Sequence, residues 1–287
     1  MPRIAYVNGQ YVRNAEAKVS IEDRGYQFAD AVYEVWSVFD GRLGDLDGHL
    51  NRLERSLKEL QIGLPMPRSS LLVVLNEVVR RNRIVEGMVY LQISRGVAPR
   101  DHVFPADTRP SVIITAKPVD REAAALKAER GIAAMSAPDN RWGRCDIKTV
   151  GLLPNVLAKQ AAKQQGAGEV IFVDRDGYVT EGGSTNVYIL GHDGILRTRS
   201  LKANILAGVT RLNLLPLVGE SGIEVREEAF TLDDAKAAAE VFITAATSLV
   251  MPIVAIDGHK IGQGIPGPVA TTLRDCYIEH ARATAGL

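Results

Sequence analysis

The stretch Arg144-Cys145-Asp146-Ile147-Lys148-Thr149-Val150-Gly151-Leu152-Leu153-Pro154-Asn155 places one lysine between apolar residues, just ahead of a helical pattern. Leu152, Leu153, Val156, Leu157, Ala161 and Ala162 recur at helical spacing, while Lys159, Gln160, Lys163 and Gln164 fill the wetter face. Lys148 reads in two ways. Flanked by Ile147 and Val150 it would lose part of its hydration, which disfavours the ammonium and leaves a neutral nucleophile near pH 7. It reads equally as a surface lysine at a strand end, and this window leaves both readings open.

Outward from the lysine, the second half alternates strands and helices. Residues 132–136 precede it as a strand, and 169–174 follow the helix as another. The Asp176-Gly177 turn predicts a hairpin into residues 178–180, and 187–190 continue the sheet. A helix begins near Gly208, residues 241–244 and 253–256 are strands, and 269–283 form a terminal helix.

In the first half, residues 4–7, the Asn8-Gly9 turn and Tyr11-Val12 read as a hairpin, and 23–27 as a loop. Residues 32–39 are a β-rich run with Tyr33, Val35 and Ser37 on one face and Glu34, Trp36 and Val38 on the other. The Asp40-Gly41 turn leads to a short strand and a helix striped by Leu46, Leu50, Leu53, Leu57 and Leu60, with Arg52 off the stripe. A second helix is predicted over 68–82 with Pro67 at its start. Strands at 88–94 and 112–116 flank a loop set by glycine and proline, residues 95–105. Residues 118–129 are charged and alanine-rich and read as a connector. The pattern implies a mixed α/β (α+β) fold in two domains, 1–118 and 131–287 joined by 119–130, with a cleft as the ligand site.

Composition narrows the function. The 287 residues are 46% hydrophobic and 24% charged, which is ordinary globular composition. Lys plus Arg and Asp plus Glu are both 34, so no net field favours nucleic acid or an anionic membrane. No apolar run is long enough to span a bilayer, and the N-terminus lacks a signal-peptide core. The two cysteines make no CxxC or secreted framework, and the five histidines show no metal-ligand spacing, so no metal is expected. These features predict a cytoplasmic protein with reduced thiols.

Glu181-Gly182-Gly183-Ser184-Thr185-Asn186 is a glycine-rich turn after a strand, where backbone can approach a ligand and hydroxyls can donate to an anion. It reads equally as a hairpin loop with a solvated glutamate. Leu206-Ala207-Gly208-Val209-Thr210-Arg211 opens a helix whose free N–H groups suit a phosphate, although Thr210 reads equally as a cap. Ala245-Ala246-Thr247-Ser248 is a further hydroxyl-bearing turn. Gly166-Ala167-Gly168 lacks the third glycine of a dinucleotide fingerprint, and there is no Walker-type loop or G-x-S-x-G elbow.

Together these segments resemble the fold-type IV, pyridoxal-phosphate-dependent aminotransferases, and within them the D-amino acid branch. The most specific segment is Glu181 to Asn186 with Val187-Tyr188, followed by Leu196-Arg197-Thr198 and residues 206–211. Asp23-Arg24-Gly25-Tyr26-Gln27-Phe28, Cys145-Asp146-Ile147-Lys148 and residues 152–160 carry the likeness to the D-amino acid branch. The resemblance implies pyridoxal 5'-phosphate in the cleft between the domains, with Lys148 forming the Schiff base and shuttling the α-proton. Glu181 would face the pyridine nitrogen and keep it protonated. Arg52, Gly208, Val209, Thr210 and Thr247 match the phosphate cup, Leu206 the residue against the ring, and Ser184 and Thr185 further cofactor contacts. Tyr33, Arg100 and His102 match the group that traps the substrate α-carboxylate, with Val35 beside them in the substrate pocket.

The resemblance also implies a homodimer with active sites completed across its interface, acting on small-molecule substrates, D-amino acids and 2-oxo acids, by ping-pong kinetics. Gly183 departs from the pattern, standing where a D-specific relative carries serine. Three siblings share the fold: branched-chain L-aminotransferases, (R)-amine transaminases and aminodeoxychorismate lyases. The Arg100/His102 loop favours the D-amino acid branch over them. A non-catalytic phosphate-ligand binding protein is the reading from another class, and Lys148 argues against it.

Overall fold

The computed structural model describes residues 3–286; Met1, Pro2 and Leu287, included in the predicted domains, lie outside them. Two compact units form, each with its own sheet and core. The first takes in the chain up to Asp120, with Ile147–Gly151 and the segment from Ala281 onward. The second comprises Arg121–Asp146 and Leu152–His280. Ile147–Gly151, which carries Lys148, thus belongs to the first unit although its sequence neighbours on both sides belong to the second.

In the first unit the elements run β1 (Ile4–Val7), β2 (Gln10–Arg13), α1 (Arg24–Phe28), β3 (Ala31–Phe39), β4 (Arg42–Leu43), α2 (Leu46–Glu59), α3 (Arg68–Asn82), β5 (Gly87–Ser94) and β6 (Ser111–Pro118). The six strands pair in the order β2-β1-β6-β5-β3-β4, every ladder antiparallel. Alternation along β3 buries Val32, Glu34, Trp36 and Val38 completely, so one carboxylate enters an otherwise apolar row. The leucine stripe of α2 packs onto that row. Leu46, Leu50, Leu53 and Leu57 join Trp36, Leu71, Leu75, Leu91 and Ile114 in one core. Each buried leucine contributes roughly 1.5–3 kcal/mol.

The second unit contains α4 (Arg121–Arg130), β7 (Ile132–Pro138), α5 (Leu153–Gln164), β8 (Glu169–Val173), β9 (Val179–Gly182), β10 (Asn186–Leu190), β11 (Leu196–Thr198) and α6 (Val209–Glu220). It continues through β12 (Val225–Glu227), α7 (Leu232–Lys236), β13 (Glu240–Ala245), β14 (Leu249–Ile256), β15 (His259–Lys260) and α8 (Pro268–Ala283), whose last residues count with the first unit. Its sheet runs β12-β11-β10-β13-β14-β7-β8-β9, with β15 on β14. The β7–β8, β7–β14 and β11–β12 ladders are parallel and the others antiparallel. Ile171, Val187, Ile189, Phe230, Val241, Ile243 and Ile253 build its core. The fold is mixed α/β, as the sequence pattern implies.

Three local expectations change. Residues 23–27, read as a loop, contribute to α1, because the Asp23 carboxylate accepts from Gly25 N–H at 2.8 Å and caps it. Within the stretch read as a connector, Arg121–Arg130 are helical. On α5 the apolar stripe faces away from this chain's core. Leu153, Val156 and Leu157 are 68%, 58% and 63% exposed, and Ala162 is the helix's buried residue.

Candidate active site

In the first unit the lysine segment lies along β3. Thr149 bridges Val32, Tyr33 N–H donates to Lys148 O at 3.0 Å, and Val150 N–H donates to Ala31 O at 3.2 Å. Lys148 N–H reaches Ser56 Oγ of α2 at 3.3 Å. Ile147 is buried in the core beside it. Lys148 is half-buried, and its Nζ lies 4.1 Å from the centroid of the Tyr33 ring, where a cation is attracted by the π face. The structure therefore brings Lys148 to Tyr33. Tyr33 stacks on Tyr90 at 5.6 Å. Burial, aided by Tyr33, pushes the Tyr90 phenol up to about 12. Val35, half-buried on the Tyr33 face, pairs with Tyr90 in register.

Arg52 lies off the leucine stripe yet turns inward to Glu34. Its Nε donates to Glu34 Oε1 at 2.7 Å and its Nη2 to Oε2 at 2.8 Å. His49 Nδ1 stands 2.8 Å from Glu34 Oε2. Burial opposes the charge on Glu34, but the Arg52 guanidinium and hydrogen bonds from Arg52 and His49 outweigh it, holding the carboxyl far below its usual range. Burial pushes His49 down, against the pull of Glu34. Arg100 and His102 are exposed on the β5–β6 loop and gather on Phe28, at 4.9 Å and 5.3 Å from its ring.

In the second unit Glu181 is the penultimate residue of β9 and is 5% exposed. It accepts from the Arg141 guanidinium and from Leu206 N–H at 3.1 Å. Arg141 also donates to Asp139 Oδ2 at 2.6 Å, and Thr180 Oγ1 donates to the same oxygen at 2.7 Å. Burial pushes the Glu181 carboxyl up while Arg141 pulls against it. A second cation at Glu181 would act in the same direction as Arg141.

Leu206 links this carboxylate to the start of α6. Its carbonyl accepts from Asn186 Nδ2 at 3.0 Å, and a Cβ on Gly208 would stand 2.0 Å from Asn186 Oδ1, so only glycine permits this approach. Gly208 is the N-cap, with no side-chain cap, while Val209 and Thr210 are buried. Asn186 pairs with Thr244, which puts the start of β10 at the sheet end where Thr247 and Ser248 turn between β13 and β14. Among the described residues the buried Ser248 Oγ has no hydrogen-bond partner. A buried, uncapped helix start and an orphaned hydroxyl are what a bound phosphate would satisfy, so these residues fit the implied cofactor.

Ser184 and Thr185 are not gathered in the same way. Ser184 is exposed, and the buried Thr185 donates to Glu169 Oε2 at 3.4 Å. Gly183 has a packing reason: a Cβ there would meet Lys159 Cγ at 2.8 Å and Glu169 Oε1 at 2.9 Å. Glu34, His49, Asp139 and Arg141 escaped the sequence reading. The one available signal was Asp139-Asn140-Arg141, opposite charges two residues apart in a turn.

The family model described as Amino-transferase class IV matches residues 31–256. The chain is 42% identical to the D-alanine aminotransferase of Bacillus licheniformis over 281 residues, 96% of this chain and 98% of that one. It is 41% identical to the D-alanine aminotransferase of Staphylococcus haemolyticus over 276 residues, 96% of each. Among solved structures it is similar to the branched-chain amino acid aminotransferase of Escherichia coli, with TM-score 0.90 and 26% identity over 99% of this chain and 96% of that one. A T.th. branched-chain amino acid aminotransferase with pyridoxamine 5'-phosphate gives TM-score 0.91 and 26% identity over 99% and 95%. This chain belongs to the class IV aminotransferases.

Proposed function

We propose that this chain catalyses pyridoxal 5'-phosphate-dependent transamination between D-amino acids, such as D-alanine and D-glutamate, and 2-oxo acids, such as 2-oxoglutarate and pyruvate. The observation that carries this reading is the 42% identity to a D-alanine aminotransferase over nearly the whole chain, against 26% to the branched-chain enzymes. When bound, the cofactor supplies an aldehyde that takes up the amino group and a ring that accepts electron density from Cα.

The roles of this chain's residues follow from their chemistry. Lys148 Nζ would hold the cofactor through its aldehyde, with loss of water, and the same amine would move the substrate's α-proton. The Tyr33 ring, 4.1 Å from that nitrogen, helps to fix where it stands. Glu181, paired with Arg141, would face the ring nitrogen and hold a proton there. The first-turn N–H groups of α6, with Thr210, Thr247 and Arg52, would hold the phosphate, and Leu206 would serve the ring. Tyr33, Arg100 and His102 bind the α-carboxylate, and Val35 lines the side-chain pocket. With the carboxylate fixed, one enantiomer alone directs its Cα–H at Lys148. Ser184 and Thr185 act around the edge of the cofactor.

The proposal includes a homodimer whose active sites are completed across the interface. The exposed stripe Leu153, Val156 and Leu157 supports it, since a contiguous apolar helix face favours burial against a partner. The free Cys145 and Cys276 suit a reducing, cytoplasmic location. Among the described residues no helix is long and apolar enough to cross a membrane.

The test compares D- and L-alanine as donors to 2-oxoglutarate on the purified protein, with the visible absorbance band as the check of cofactor loading. Preference for D-alanine is expected. Preference for the L form would move the chain to a sibling activity on the same fold.

A further inference from the structure

The β5–β6 loop presents Arg100 and His102 on its exposed surface, yet what fixes it comes from α1. Arg24 is 3% exposed. Its Nη1 donates to the Asp101 carbonyl at 2.5 Å and the Val103 carbonyl at 3.4 Å, and its Nη2 to the His102 carbonyl at 3.5 Å. Its guanidinium also lies 4.8 Å from the centroid of Phe28, the ring on which Arg100 and His102 rest. A single side chain therefore holds the backbone on both sides of His102 and shares its platform with both loop residues.

Asp30 ties this arrangement to the sheet. It accepts from Arg24 Nε at 2.8 Å and from Arg95 Nε and Nη2 at 2.7 Å and 3.0 Å. Arg95, at the start of the loop, lies 3.5 Å over the Phe104 ring and donates to the carbonyls of Leu60 and Gln61. One carboxylate thus directs one arginine at the start of the loop and another to its backbone at residues 101–103. Asp30 also stands directly before β3, the strand that carries Tyr33. A lysine at position 24 has a single nitrogen, which cannot span Asp30 and the loop carbonyls together.

We propose that Arg24 is a positioning residue for α-carboxylate recognition, setting the backbone of residues 101–103 and thereby where Arg100 and His102 stand. The inference rests on the reading of Arg100 and His102 as carboxylate ligands. Arg24 itself touches no substrate in this arrangement. Its effect is transmitted through the loop, so it should be felt by every substrate bearing an α-carboxylate, donor and acceptor alike.

The experiment uses the loaded enzyme carrying Arg24→Lys, Arg24→Gln, Arg100→Ala and the Arg24→Lys/Arg100→Ala pair. Retention of the visible absorbance band selects the folded, loaded variants. Arg24→Lys should raise KM for D-alanine and for pyruvate about tenfold, as the loss of a charge-assisted hydrogen bond would, with kcat changed far less. Amide exchange in residues 98–105 should quicken while β3 and β5 keep their protection. In the Arg100→Ala background the same change should raise KM by a smaller factor than in the unchanged protein, because only the part of its effect that passes through His102 remains. If Arg100→Ala itself leaves KM unchanged, the carboxylate reading fails. If Arg100→Ala raises KM while both Arg24 variants leave KM and loop exchange as they were, or if the two effects simply multiply, the positioning role is overturned. Should both Arg24 variants lose the absorbance band, Arg24 is a folding residue and the inference is likewise wrong.

Discussion

At the scale of single residues, Lys148 is distinguished by its surroundings. Its Nζ lies over the Tyr33 ring, its carbonyl and amide are engaged by Tyr33 and Ser56, and it therefore cannot drift from β3. Borohydride reduction of the loaded protein followed by peptide mapping should label Lys148; label on Lys159 or Lys163 would refute the assignment. Glu181 offers a second check. Glu181→Gln keeps an acceptor for Leu206 N–H but removes the charge that faces Arg141. Losing a charge-assisted bond of about 1.5–3 kcal/mol should slow proton abstraction by roughly tenfold to a hundredfold, with phosphate binding largely retained. Unchanged single-turnover rates would mark Glu181 as a structural loop residue. Motif order made Lys148 and Glu181 legible as candidates in the sequence. Glu34, His49 and Arg141 were not, because a buried charge reads like a solvated one until its partner on a distant strand or helix is known.

At the scale of elements, legibility followed length and period. The leucine stripe of α2 and the alternation of β3 gave their own burial away, whereas α1 has five residues, too few to show a period. The α5 stripe shows a different limit: periodicity marks an apolar face without saying what covers it. The start of α6 depends on glycine for a reason sequence cannot supply, the approach of Asn186. In Gly208→Ala the new Cβ, 2.0 Å from Asn186 Oδ1, must displace that side chain and with it the Leu206 carbonyl it holds. Overpacking of this kind costs about 1–3 kcal/mol. The variant should bind pyridoxal 5'-phosphate about fivefold to a hundredfold more weakly by absorbance titration while its far-ultraviolet circular dichroism is kept. Wild-type affinity would show that the α6 start does not hold the phosphate.

At the scale of the whole molecule, buried charges make stability depend on pH with a definite sign. Burial opposes ionisation of Glu34, Asp30 and Asp139, yet their arginine partners and hydrogen bonds hold all three below their ordinary values. The folded state then binds fewer protons than the unfolded one, so these contributions are complete above the ordinary carboxylate range and are lost as pH falls through it. His49 is pushed down by burial from its ordinary 6.5, so acid also favours the unfolded state through it, from about that pH downward. Glu181 opposes them, since burial pushes its carboxyl up. The urea midpoint should therefore decline below about pH 6.5 and fall more steeply below about 4.5, the ordinary glutamate value. A midpoint that stays level from pH 7 to pH 4 would contradict the buried network. The assembly gives the last expectation. In a two-fold dimer whose sites each combine Lys148 of one chain with Arg100 of the other, two inactive chains can repair one another. Lys148→Ala and Arg100→Ala chains, mixed equally and allowed to exchange, would form mixed dimers in half of all cases. Each mixed dimer has one site with both changes and one site with neither, so about a quarter of full activity should return. If Arg100 serves the Lys148 of its own chain, every site in the mixture keeps one change, and activity stays at the level of the parent variants. The exposed α5 stripe makes the dimer expected, and the mixing experiment alone separates a dimer that shares its sites from one that merely buries a hydrophobic face.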